Sequence, residues 1–291
     1  METLTGLLKK GQEILVQAGI EEAGLDARLL LEYITGKSRA YYLAHGEECV
    51  TKETADRYLE LVTGRSQHIP LQHLTHQAFF MGYEFYVNED VLIPRQDTET
   101  LVEEALRLLK GRQKPRVLDM CTGSGCILTS LLLEVPDASG TGADLSEKAL
   151  KVAACNARRL QTADRAEFVK SDLFSSEYFS GSVYDVLISN PPYIPTEEIE
   201  GLMEEVKLHD PRMALDGKAD GLYFYRAITK QAMDYMLSGG WLLYEIGWDQ
   251  GKAVKELLDK EGFINTEIKK DLCGLDRVVL GQKSLQEEQN V

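Results

Sequence analysis

From Arg116 onward the chain alternates short β-prone runs with helical stretches, and that rhythm restricts its fold more than any other feature. Strands are predicted at 116–120, 140–143, 166–170, 184–189, 241–246, 265–270 and 277–280. Helices are predicted at 126–133, 147–158, 222–236 and 250–261. Such alternation buries its apolar faces best as an α/β fold: a doubly wound, mostly parallel, seven-stranded sheet with helices on both faces. Ligands of these sheets bind at the carboxyl ends of the strands, near the switch in strand order. Chemistry is therefore expected at strand ends.

The first strand ends in VLDMCTGSGCI. Gly123 and Gly125 leave room for a ligand to approach backbone, and the next helix offers its N-terminal N–H groups. The pattern is not a dinucleotide fingerprint, because Leu128 replaces the third small residue. It is not a Walker loop either, since no Gly-Lys-Ser/Thr follows. What remains, Asp119-x-x-x-Gly-x-Gly, suits a nucleoside ligand without pyrophosphate. Asp119 either receives a ligand ammonium or orients the loop. A tight β-α turn without a ligand is the plainer alternative.

The second strand ends in GADLS, placing Asp144 where an acid holds ribose hydroxyls in related sheets. Its alternative role is a helix N-cap, which Ser146 can fill instead. The third ends in KSDLF. Asp172 can accept from an exocyclic amine there, with Leu173 or Phe174 walling a ring. The fourth ends in Asn190-Pro191-Pro192-Tyr193. Two prolines end the strand in a stiff turn rich in acceptors and poor in donors. Such a turn can fix a planar nitrogen through its N–H groups, using the Asn190 side-chain oxygen and the Pro191 carbonyl. Tyr193 can pack on the planar group. A rigid loop is the alternative.

The first seventy or so residues read as a helical bundle. Leu4, Leu8 and Leu15 mark one helix. Leu25, Leu29, Leu30, Tyr33 and Ile34 mark a second, and Ala55, Tyr58, Leu59 and Val62 a third capped by Thr51. Phe79–Val87 then reads as a hairpin turning near Gly82. Asp97 is expected to cap a helix burying Leu101, Val102, Ala105, Leu106 and Leu109. The predicted domains are thus 1–75, helical and substrate-recognising; 76–92, a hairpin linker; 93–283, the α/β domain; and 284–291, a frayed polar tail.

The formal charge of −15, from 47 acidic and 32 basic residues, disfavours direct contact with nucleic acid. No apolar run reaches membrane-spanning length, and the N-terminus lacks a signal-peptide pattern. A cytoplasmic protein is expected. The five scattered cysteines contain no C-x-x-C pair, which argues against disulfides and zinc. His68, His73 and His76 are read as loop histidines, with no metal.

Asp-x-x-x-Gly-x-Gly, an acid, Ser-Asp and Asn-Pro-Pro-Tyr at successive strand ends are together similar to class I, Rossmann-like, S-adenosylmethionine-dependent methyltransferases. The Asn-Pro-Pro-Tyr form is that of enzymes methylating adenine N6, cytosine N4 or glutamine amides. IPLQH at 69–73, VLIPRQDTETLVE at 91–103, DPRMALDGKADGLYFYR at 210–226, GGWLLYEIG at 239–247, and Asp271, Gly274 and Arg277 extend the likeness over nearly the whole chain. It resembles the bacterial release-factor glutamine methyltransferases, the PrmC/HemK family. Thr98 and Glu99 favour that branch over methyltransferases of a ribosomal-protein glutamine. An adenine-N6 nucleic-acid enzyme is the more distant alternative. Cys121 stands where the family usually has Gly.

The resemblance implies transfer to the N5 of the glutamine in the Gly-Gly-Gln motif of release factors. S-adenosylhomocysteine would be the other product. The cofactor would contact Asp119, Cys121, Thr122, Gly123, Ser124, Gly125, Asp144, Asp172, Leu173, Phe174 and Asn190. Asn190 and Pro191 would be catalytic, and Asn190, Pro191, Pro192 and Tyr193 would bind substrate. The resemblance also implies a monomer.

Overall fold

The computed structural model describes residues 2–285 of the 291-residue chain. The expected polar tail therefore falls, for 286–291, outside the described residues. The chain forms two compact units: residues 1–77 together with 203–209, and residues 78–202 together with 210–291.

The first unit opens with α1 (Leu4–Gln17), α2 (Ala23–Thr35), α3 (Arg39–His45), α4 (Lys52–Ser66) and α5 (Leu71–Thr75). Side-chain caps start two of these helices: Thr3 accepts from Gly6 N, and Thr51 from Thr54 N. The buried stripe of α1 is Leu4, Leu7, Gly11 and Leu15, so Leu7 holds the core position expected for Leu8. In α2 the buried face is Ala23, Asp26, Ala27, Leu30 and Leu31, whereas Leu25 and Tyr33 are exposed. A polar residue hides that rotation in the sequence: Asp26 is buried because Arg65 Nε of α4 donates to it at 2.6 Å. Tyr58 crosses the bundle, donating to the Ala27 carbonyl at 3.1 Å. Gly11 makes room for it, since a Cβ at 11 would lie 2.0 Å from the phenol oxygen.

The second unit begins at a hairpin, β1 (Gln77–Phe80) and β2 (Tyr83–Tyr86), turned by Met81 and Gly82, both with positive φ. Glu99 accepts from Met81 N at 2.6 Å and holds the turn. Helix α6 (Glu99–Leu109) buries Leu101, Val102, Ala105 and Leu109. Asp97 does not cap it. The chain enters through a 3-10 turn at Gln96–Thr98 with no side-chain cap, and Asp97 pairs instead with Arg277 at 3.1 Å.

The sheet then builds as β3 (Arg116–Met120), α7 (Cys126–Glu134), β4 (Ser139–Asp144), α8 (Glu147–Arg159), β5 (Ala166–Lys170) and β6 (Tyr184–Ser189). The long connection 194–219 carries α9 (Glu204–His209) and α10 (Arg212–Leu215). The first of these belongs to the helical unit, where Glu205 pairs with Arg65. The chain closes with α11 (Tyr223–Ala232), β7 (Met236–Glu245), α12 (Gly251–Lys260), β8 (Ile264–Lys270) and β9 (Asp276–Gln282). The helix expected to reach 236 stops at Ala232. A 3-10 turn follows, and β7 takes over at Met236, five residues earlier than its apolar run suggests.

Strand order is β5-β4-β3-β6-β7-β9-β8, parallel except for β9, which runs antiparallel to both its neighbours. The seven-stranded, mostly parallel sheet is as expected. The chain winds outward from β3 through β4 to β5, then returns to the other side of β3 with β6. The switch point therefore lies between the carboxyl ends of β3 and β6. Val117, Leu118 and Met120 of β3, and Val186, Leu187 and Ile188 of β6, are almost wholly buried, as central parallel strands require.

Candidate active site

A cavity of about 1000 Å³, open mouth included, lies at these strand ends. Its walls come from 90–95 and Thr98, the loop 120–124, Asp144 to Ser146, Ser171 to Leu173, Asn190 and Pro192, and residues of 211–214. All belong to the second unit.

The loop after β3 is set by hydrogen bonds that its own residue types allow. Thr122 donates its hydroxyl to Asp119 Oδ2 at 2.6 Å and its backbone N–H to the Ala143 carbonyl at 3.0 Å. Gly125 starts α7 with φ +74°, and a Cβ there would lie 2.9 Å from the Ala153 Cβ. Close packing of α7 on α8 thus needs that glycine. Asn156 of α8, fully buried, donates to the Ser124 carbonyl at 2.9 Å and exchanges bonds with the Tyr86 backbone. The sequence holds no sign of this staple, since a mid-helix asparagine is ordinarily a solvent-facing residue. Cys121 lines the cavity with φ +63°, a left-handed conformation that suits the glycine usual in the resembling family. Burial pushes its thiol pKa up, so it is a neutral wall residue.

Asp119 itself is 0% exposed and does not line the cavity. Burial raises its pKa to about 7, against the Thr122 hydrogen bond and the Leu128 backbone, and its Oδ1 has no hydrogen-bond partner among the described residues. It therefore orients the loop through one oxygen and keeps the other unspent. Asp144 does line the cavity. Each of its oxygens takes one backbone N–H at 2.9 Å, from Gly123 and from Ser146. The N-cap of α8 is Ser146, which accepts from Ala149 N, so Asp144 is not needed as a cap. Burial raises the Asp144 pKa while those backbone bonds restrain it.

At the end of β5, Asp172 and Leu173 reach the cavity and Phe174 does not. Phe174 is buried and stacks on Tyr235 with centroids 4.3 Å apart, which makes it a core residue. Leu173 has φ +50°, and the peptide reverses there, sending consecutive side chains to opposite sides. At the end of β6, Asn190 and Pro192 line the cavity, whereas Pro191, buried like Pro192, is not among its walls and Tyr193 packs against the core behind them. Gln250 fixes this turn from outside, donating to the Tyr193 carbonyl at 2.9 Å.

The Asn190 amide donates from Nδ2 to the Thr98 hydroxyl at 3.4 Å, which leaves Oδ1 as the acceptor at the cavity wall. Thr98 is 3% exposed, and the sequence marked it only by family likeness. The segment 90–95 and residues 211–214 were also missed as walls. Arg95 donates to Asp210 at 2.7 Å and links the two segments. Among the described residues, no cluster of three or more His, Cys, Asp or Glu side chains is arranged to hold a metal. His73 is buried in α5, and His68 and His76 both have positive φ. No helix among the described residues is long and apolar enough to cross a membrane.

Comparison with known proteins agrees with this geometry. A family model described as the PrmC N-terminal domain matches residues 6–75, and one described as the methyltransferase small domain matches 97–217. Among solved structures, the hMettl16 catalytic domain in complex with the MAT2A 3′UTR hairpin 6 superposes with a TM-score of 0.58. That match covers 90% of this chain and 94% of the other at 14% identity, which speaks for the fold alone. Proteins named release factor glutamine methyltransferase match almost end to end. The Clostridium acetobutylicum protein is 36% identical over 94% of this chain and 96% of its own length. The Bacillus subtilis (strain 168) protein is 38% identical over 96% and 97%. On that identity and coverage, the chain belongs to the release factor glutamine methyltransferase family.

Proposed function

We propose that this protein transfers the methyl group of S-adenosylmethionine to the side-chain N5 of a glutamine in peptide chain release factors, the glutamine of their Gly-Gly-Gln motif. The observation that carries this reading is the Asn190 amide. Its NH₂ is engaged by Thr98, and its oxygen is left at the cavity wall beside the switch point. A primary amide substrate brings two N–H groups and needs acceptors. Asn190 Oδ1 and the Pro191 carbonyl supply one each.

The site fits the cofactor. The loop 121–124 offers backbone rather than bulk, Asp144 keeps lone pairs for ribose hydroxyls, and Asp172 with Leu173 borders the adenine end. The unpartnered Asp119 Oδ1 beneath the loop favours a ligand that brings positive charge nearby. S-adenosylmethionine supplies a methyl already activated by its sulfonium. The amide nitrogen would take that methyl as the C–S electron pair returned to sulfur, its extra proton leaving to water. Asn190 and Pro191 hold the nitrogen so that its weak lone pair meets that methyl. Prolines 191 and 192 keep both acceptors in place before substrate arrives.

The test is incubation of the protein with methyl-labelled cofactor and recombinant release factors, followed by peptide mapping. Label on the Gly-Gly-Gln peptide is expected. Label absent there, with the cofactor bound, would defeat the reading.

A further inference from the structure

Glu245 ends β7, 2% exposed, with its Oε2 unpartnered among the described residues. Burying a carboxylate is costly unless it is paired. Its surroundings do not pair it. The nearest cation, Arg277, already pairs with Asp97 and Asp271, each at 3.1 Å. The polar groups against the Glu245 carboxyl are instead the Thr98 hydroxyl and the Asn190 amide. The register explains this neighbourhood. Ser189 pairs with Tyr244 in the parallel β6–β7 ladder, so the next residues along, Asn190 and Glu245, are neighbours across the strand ends. The Glu245 backbone is pinned as well, its carbonyl accepting from the Tyr225 hydroxyl at 2.9 Å.

We propose that Glu245 is a positioning residue for the transfer. With Thr98 it holds the Asn190 amide so that Oδ1 faces the cavity, and its negative charge behind that amide strengthens Oδ1 as an acceptor. This rests on the reading of Asn190 given above. The charge acts when it is needed. The substrate nitrogen turns cationic as the methyl arrives, its N–H groups become stronger donors, and a polarised acceptor gains most in that state. Only the ionised form of Glu245 does this. Burial raises its pKa to about 7, opposed by the Thr98 and Arg277 groups and by Asn190. Asp97, paired with Arg277, pushes it further up, and the other titratable side chains around it are Tyr193 and Tyr225, both raised by burial, and Cys126, raised to about 12. Asp119, on β3 with β6 between it and Glu245, is also raised to about 7. A low-pH limb therefore has two candidate owners, which a variant separates.

The experiment uses full-length Glu245→Gln beside wild type. Turnover on a release factor is measured from about pH 5.5 to 8.5, S-adenosylhomocysteine affinity by calorimetry, and the Asn190 side-chain NH₂ resonances by ¹⁵N NMR. The variant is expected to lose on the order of tenfold to a hundredfold in kcat. KM and S-adenosylhomocysteine affinity should stay within about threefold, since neither depends on a contact made in the transition state. The Asn190 resonances should shift with pH near 7 in wild type and stay still in the variant. A variant with wild-type kcat and pH profile overturns the proposal, as does an Asn190 amide that ignores pH in wild type. The latter needs no variant to fold. Should wild type itself not methylate release factors, the reading of the substrate fails, while the NMR titration still decides the role of Glu245.

Discussion

In the proposed transfer Asn190 acts through one atom, its side-chain oxygen. Its Nδ2 donates to the Thr98 hydroxyl, which turns the NH₂ towards Thr98 and makes Oδ1 the acceptor in the proposed reaction. Asn190→Ala is expected to cut transfer by on the order of 10³-fold, with S-adenosylhomocysteine still binding in calorimetry. In the same proposal Asp144 acts differently, its remaining lone pairs being the acceptors for the cofactor's ribose. Asp144→Ala should weaken S-adenosylhomocysteine binding roughly tenfold to a hundredfold, because the Gly123 N–H also loses its acceptor. Much of this was legible at single positions. Asn190, Asp144 and the glycines announce themselves by type and by place at strand ends. Glu245 does not, because a single carboxylate inside a predicted strand reads as an ordinary outward-facing position. Only the parallel register beside Asn190 reveals its place. Phe174 failed for the converse reason: a one-residue reversal at Leu173 decides which side chain faces the cavity, and composition does not encode it.

Among elements, three strands of the sheet, one of them the edge strand β5, were the most readable. The ranges expected for β3, β5 and β6 match the observed ones, because short β-prone runs closed by turn residues at their carboxyl ends leave few alternatives. Helices α1 and α2 were found, but their faces were misjudged, since a buried glycine and a buried aspartate stand where the pattern wants hydrophobes. The two short helices in 194–219 had no pattern of their own. Gly11 offers a direct check on the helical packing. Gly11→Ala would raise helix propensity in isolation, yet it should lower thermal stability, because its methyl collides with Tyr58. A destabilisation of about 1–3 kcal/mol by chemical denaturation is expected. A second variant, Tyr58→Phe, should recover little of it, since the ring itself lies within 3.0 Å of that Cβ.

For the whole molecule, two buried acids link stability to pH. Asp119 and Glu245 both have folded pKa values raised to about 7, from ordinary values of 3.8 and 4.5. A raised carboxyl means the folded state holds its proton more tightly than the unfolded chain does. The stability it contributes is fully present below the unfolded pKa and is lost as pH rises through about 7. The cofactor-free protein should therefore melt at lower temperature at pH 8 than at pH 5.5 from this source. Asp119→Asn should flatten part of that slope in a pH series of calorimetric melts. The helical unit has its own sensitive point in Arg65, which pairs with buried Asp26 and with Glu205. Arg65→Ala should cost about 3–5 kcal/mol, because it strands a buried carboxylate.

Glu205 also bears on how such a chain can be inherited. The helical unit is stitched from two stretches, 1–77 and 203–209, so the backbone passes between the units at 77/78, 202/203 and 209/210. A gene fusion that swapped the first 77 residues for another helical domain would leave Glu204–His209 encoded in the other part, facing a stranger. The helical unit is thus no cassette to be exchanged at a single crossover. A change to the surface around Arg65 is therefore expected to call for a matching change at 203–209, so the two stretches should vary together among relatives.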